Sequence, residues 1–244
     1  MLGTKQSEFE LLLISSRETI LEKIQKLFQN KAVEGHIFGS LARGNSDAYS
    51  DIDIWFTFPD EDIEKVLAHR FEYYAEIGEV LHICEPPQNA PLQGVQTSVT
   101  YKTVGGYLTV DCSLCPLSTS HSYPEAHRLF GIELPVRTME FNPQKVQVNE
   151  SYRIDFLILF IFSAIKKLAR NQSKPLKALF EQYQYFPDRY GIVIEPLLNN
   201  GQDFVSLKKI IEKINKVANE KQQKTLSMIG GFIDKIETNP ISSL

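Results

Sequence analysis

The chain has 244 residues, 43% of them hydrophobic and 23% charged, the composition of an ordinary soluble globular protein with length enough for one large domain or two small ones. A formal net charge of -4 lacks the basic excess that offsets phosphate charge, so a nucleic-acid polymer is an unfavoured partner. Three cysteines, Cys84, Cys112 and Cys115, are too few and too odd in number for a disulfide framework and point to a reducing compartment, the cytoplasm.

The N-terminal "MLGTKQSEFELLLISS" lacks the charged, apolar and small-residue order of a secretory signal. From Glu8 to Asn30, Leu12, Leu13, Ile20, Leu21, Ile24, Leu27 and Phe28 recur at helical spacing and predict an amphipathic helix. "AVEGHIF" reads as a strand ending at Gly39-Ser40, "LARGNSDAYS" as a tight, partly helical connection, and the alternating "DIDIWFTF" as the next strand. Residues 60–77 predict a charged helix, and "GEVLHICE" a third strand before the proline loop "PPQNAPLQG". "VQTSVTYKTVGGYLTVDCSL" predicts a hairpin turning at Gly105-Gly106.

Residues 116–149 hold four prolines and little periodicity, which places the interdomain connection there, with any substrate loops. From Ser151 onward the pattern is helical: "SYRIDFLILFIFSAIKKLAR", "KPLKALFEQYQYF", and a segment from Phe204 to Thr238 broken at Gly230-Gly231. The apolar run "FLILFIFSAI" falls well short of the ~20 residues that cross a bilayer, so it predicts a core helix and no membrane span. The lysine-rich "LKKIIEKINKVANEKQQK" reads as a solvated helix face. The expected class is α+β, with a mixed-sheet domain over 1–149 and a helical bundle over 150–244.

The chemistry concentrates in "FGSLARGNSDAYSDIDIWF". Alternate strand residues share a face, so Asp51 and Asp53 present a carboxylate pair while Ile52 and Ile54 point to the other side. Adjacent carboxylates repel unless a cation lies between them, and an oxygen-rich site of this kind suits Mg²⁺, whose shell substrate phosphates complete. Gly39 and Ser40 offer backbone N–H groups and a hydroxyl for those phosphates. In the hairpin, Tyr107, Thr109 and Asp111 alternate with Leu108 and Val110, which puts Asp111 on a polar face.

This stretch resembles the nucleotidyltransferase superfamily that shares the DNA polymerase β palm: a hydrophobic residue, Gly-Ser, a spacer, then Asp-x-Asp. It is most similar to the aminoglycoside and lincosamide nucleotidyltransferases, with their "GSxxRG…SD" segment; the minimal nucleotidyltransferases of toxin and antitoxin pairs share it too. The resemblance implies a palm-like domain with a third carboxylate, Asp111, either a metal ligand beside Asp51 and Asp53 or the general base. It implies two Mg²⁺ ions, and a nucleoside triphosphate, ATP foremost, attacked at its α-phosphorus by an acceptor hydroxyl. Ser40 would hold phosphate oxygens, with Arg43 and Lys166 as further phosphate contacts. The expected acceptor is a small molecule, an antibiotic, acted on by a monomer or homodimer. The rival expectations are nucleotidylation of a protein or tRNA, and a silent nucleotide-binding module. Cys112-x-x-Cys115 with His121 and His127 has a zinc-like composition, but Cys112 is expected to face the core opposite Asp111. Glu125, Glu133 and Glu140 are the substitute bases if Asp111 only binds metal.

Overall fold

The computed structural model describes residues 7–86, 89–136, 150–170 and 204–239. These divide between two compact units, one from Glu10 to Gln147 and one joining Met1–Phe9 to Val148–Leu244. In the first, six strands form one mixed sheet: β1 (Glu34–Phe38), β2 (Ile52–Phe58), β3 (Val80–Cys84), β4 (Val95–Lys102), β5 (Tyr107–Pro116) and β6 (His127–Gly131), in the order β3-β4-β5-β2-β1-β6. Only β2 and β5 run parallel; every other neighbouring pair is antiparallel. With the helices of both units the class is α+β.

The alternation read from β2 sorts the two faces of this sheet. Ile52, Ile54, Phe56 and Phe58 join Val99, Tyr101, Val110, Cys112 and Leu114 in one buried cluster. It is closed by α1 (Glu8–Phe28), through Ile20, Ile24 and Phe28, and by α3 (Ile63–Ile77), through Ile63, Val66, Tyr74 and Ile77. Phe28 stacks on Phe56 with ring centroids 4.3 Å apart; truncating such a buried ring to alanine costs about 3–5 kcal/mol. The apolar face is therefore committed to the helices, and the opposite face carries Asp53, Trp55 and Thr57 of β2.

Three expectations about this unit and the helices need correcting. The hairpin turns at Val104-Gly105 rather than at Gly105-Gly106, because Thr103 and Gly106 exchange both backbone bonds, at 3.0 and 3.1 Å. Gly105 packs closely on α1: a Cβ there would lie 2.8 Å from Leu13 Cδ2, so a larger residue would push the leucine methyl aside. The 116–149 connection also contains a strand, β6, pairing with β1 at the sheet edge. Its two exposed leading residues, His127 and Arg128, followed by half-buried Leu129 and Phe130, give no period of two to read. Gly35 makes room for it, since a Cβ there would meet both Phe130 and Phe56 rings at 2.8 Å.

In the second unit, α4 (Glu150–Ala169), α5 (Phe204–Asn215) and α6 (Glu220–Thr238) carry buried Ile158, Ile165, Ile210, Ile214, Leu226 and Ile233. The long helical segment breaks before Glu220, not at Gly230-Gly231, which lie inside α6. Asn219 caps α6 in a reciprocal box with Gln222, whose side chain also donates to Asp155 at 2.9 Å; a cap satisfying two helix-end donors outweighs two mid-helix glycines with open space around them. The lysine-rich stretch thus spans two helices, and Lys208 pairs with Asp234 and Glu237 at 2.7 Å. "KPLKALFEQYQYF" and Glu140 lie outside the described residues. Among the described residues no helix is long and apolar enough to cross a membrane.

Candidate active site

β1 delivers the chain to the site at Phe38, which lies opposite Asp53 in the register. Gly39 follows with φ +68°, and a Cβ on it would stand 2.1 Å from Asp53 Oδ2. Glycine is required there twice over, by the left-handed backbone and by the carboxylate that fills the side-chain space. Gly39 opens a short helix, α2 (Gly39–Ala42), to which Phe38 contributes no side-chain cap. The Gly-Ser turn and the second aspartate of Asp-x-Asp are thus in direct contact.

Parallel pairing of β2 with β5 then sets Asp111 directly beside Asp53. Antiparallel pairing of β5 with β4 puts Ser98 on the far side of Asp111, and its hydroxyl donates to Asp111 Oδ1 at 2.5 Å. Asp51 immediately precedes β2. It lies close enough to Tyr107 to add to the burial that raises that phenol's pKa well above its usual value. Asp53, Asp111 and Ser98 are hard oxygen donors brought together by strand register.

Among the described residues no three His, Cys, Asp or Glu side chains converge as a ready metal cage. Asp53 and Asp111 are strand neighbours, and Gly39 leaves room for the Asp53 carboxylate; a pair of oxygen donors of this kind suits Mg²⁺ when water and phosphate supply the rest of its shell.

Arg43 ends α2 and donates to Glu125 at 3.2 Å, both side chains being largely exposed. Of the substitute bases, Glu125 is thereby engaged with Arg43. Lys166 lies in the last turn of α4, in the other unit. Cys112 is buried in the helix-facing core, where burial pushes its thiol up to about 12. Cys115, three residues on in the same strand, points to the opposite face and bonds Ser120, so the two sulfurs do not converge.

Sequence reading missed Ser98, an unremarkable serine in an alternating strand, and also Arg17 and Asp47. Arg17 left a signal: it occupies the stripe Leu13, Arg17, Ile20, Ile24, Phe28 that α1 buries, and a cation there requires a partner. Also on the carboxylate face, buried Trp55, His36 and His121 pack with half-buried Tyr123, and Glu34 bonds His36 at 2.9 Å.

Gly39 and Gly44 make a matched test. Gly44 also has positive φ, +69°, but nothing lies within 4 Å of its missing Cβ. Gly44→Ala is expected to cost about 1 kcal/mol of stability through backbone strain alone. Gly39→Ala carries that cost and displaces the Asp53 carboxylate, a misplacement worth about a hundredfold in turnover. Thermal melts and steady-state rates on both variants check the contrast.

Residues 17–85 match the sequence model of the nucleotidyltransferase domain. The span includes Arg17, Gly39, Ser40, Arg43, Asp51 and Asp53 and stops short of Asp111. The match supports the nucleotidyltransferase superfamily for this part of the chain, and with it nucleotidyl transfer in general. No curated protein matches the chain.

Proposed function

We propose that this protein transfers a nucleoside monophosphate from a nucleoside triphosphate, ATP foremost, to a hydroxyl of a small molecule, an aminoglycoside or lincosamide antibiotic being the leading acceptor. The observation that carries the reading is the contact of Gly39 with Asp53, with Asp111 paired beside it. A turn that exists to bring a phosphate-binding backbone against a carboxylate pair has little structural purpose of its own.

Asp51, Asp53 and Asp111 would hold Mg²⁺, which when bound neutralises charge on the triphosphate and activates the attacking oxygen. The residues do the rest. Ser40 and the N–H groups of the α2 first turn orient the phosphate chain. Arg43 exchanges its exposed Glu125 partner for a phosphate oxygen, a small cost because exposed ion pairs contribute ~0–1 kcal/mol. Asp111 takes the proton of the acceptor hydroxyl at its carboxylate, or serves only as ligand, while Ser98 fixes its rotamer. The bond from the acceptor oxygen to the α-phosphorus forms as the bond to the leaving pyrophosphate breaks. Three buried free cysteines are compatible with a cytoplasmic setting.

The test is a transfer assay with α-labelled ATP, GTP, CTP and UTP against aminoglycosides, lincosamides, tRNA and lysate proteins in Mg²⁺. Label on an antibiotic supports the proposal. Label on tRNA or a protein transfers the activity to a macromolecular acceptor, and metal-independent nucleotide binding with no transfer identifies a silent module.

A further inference from the structure

Arg17 lies on the buried stripe of α1 with 7% of its surface exposed. Burial lowers its pKa, while Asp47, Glu18 and Asp51 oppose that shift. Its guanidinium Nη1 donates to the backbone carbonyl of Asp47 at 2.5 Å. A charge taken out of water is costly and is often replaced by an apolar residue without loss of stability, so stability by itself does not account for an arginine among Leu13, Ile20 and Ile24.

What Arg17 holds is a turn wound on Asp47. The Asp47 carboxylate accepts from Tyr49 N and from Ser50 Oγ, each at 3.0 Å, and Ser50 Oγ in turn accepts from Asp47 N at 3.0 Å. Ser50 N donates to the same Asp47 carbonyl that Arg17 grips, at 3.2 Å. Tyr49 and Ser50 are both buried. The next residue is Asp51. The turn is therefore anchored to α1 at its start and releases the chain into β2 at the first aspartate of Asp-x-Asp, with a fixed cation near enough to Asp51 to be felt electrostatically.

We propose that Arg17 is a positioning residue: by clamping the Asp47 carbonyl it fixes the 47–51 turn and so aims Asp51 at the metal, with its positive charge favouring the ionised Asp51. This rests on the nucleotidyl-transfer reading of the site. It assigns Arg17 no contact with substrate; its influence runs through Asp51, so it registers in metal binding before catalysis.

The experiment titrates Mn²⁺ into the full chain with a non-hydrolysable ATP analogue, for wild type, Arg17→Met, Arg17→Lys and Asp53→Asn, with melting temperatures alongside. Arg17→Met is expected to weaken Mn²⁺ binding about tenfold, the range seen when groups that orient metal ligands are removed, whatever the accompanying change in melting temperature. A residue that served only packing would lower the melting temperature and leave Mn²⁺ affinity intact, and that result overturns the proposal. If Arg17→Met fails to fold, Arg17→Lys decides: it keeps a cation but loses the planar fork, so a weakening of about threefold supports the proposal and wild-type affinity overturns it. Mn²⁺ binding abolished by Asp53→Asn yet unchanged in Arg17→Met defeats this inference alone. No Mn²⁺ binding by wild type defeats the transfer reading and this inference with it.

Discussion

Asp53→Asn is expected to abolish measurable transfer, a loss of about a thousandfold or more, with the fold retained. The carboxamide keeps the shape that fits against Gly39, where Asp53 Oδ2 occupies the missing side-chain space, but removes the charge that a divalent cation requires. Stabilisation of several kcal/mol by a bound cation disappears with it, and about 4 kcal/mol corresponds to about a thousandfold in rate. Asp51→Asn follows the same logic. Stability is expected to hold, because replacing one of several neighbouring carboxylates relieves like-charge repulsion. The measurement is steady-state transfer in saturating Mg²⁺ beside a thermal melt. Near wild-type turnover in Asp53→Asn removes the metal assignment, and a collapsed melt shows that Asp53 is needed by the fold.

Asp111→Ala is the second large effect, and its kinetic form separates two roles. If Asp111 is the general base, nucleotide still binds with Mg²⁺ and the chemical step falls about 10²- to 10⁴-fold. If it is a metal ligand, the Mg²⁺ dependence of turnover shifts as well, since half of the Asp53–Asp111 strand pair is gone. Ser98→Ala sharpens the distinction: it frees Asp111 Oδ1 from its 2.5 Å bond, and a positioned carboxylate is expected to lose turnover more than nucleotide affinity. Single-turnover rates across a Mg²⁺ series, with nucleotide affinity measured separately, resolve these outcomes. Undiminished transfer in Asp111→Ala returns the search for a base to Glu125, Glu133 and Glu140, Glu125 being released when Arg43 turns to the phosphate.

Local sequence by itself determined the elements that build this site. Period-two alternation in "DIDIWFTF" separates Asp53 from Ile52 and Ile54, and the buried cluster takes both isoleucines; alternation in β5 separates Asp111 from Val110 and Cys112 in the same way. A glycine followed by serine at a strand end marked the turn. These signals are legible because backbone geometry fixes side-chain direction residue by residue, whatever lies across the sheet.

Tertiary structure decided everything that depends on a partner distant in sequence. The parallel pairing that sets Asp111 beside Asp53 joins strands separated by α3 and two other strands. Ser98 reaches Asp111 only through the register of the hairpin, and Arg43 meets Glu125 across 82 residues. Arg17 was visible as a charge on an apolar stripe, but its target, a main-chain carbonyl 30 residues on, leaves no trace in side-chain chemistry. The edge strand β6 and the helix break before Glu220 were misplaced for a related reason. Propensity and period weigh each segment alone, whereas a bulged edge pairing and a capping box are settled by the contacts they complete.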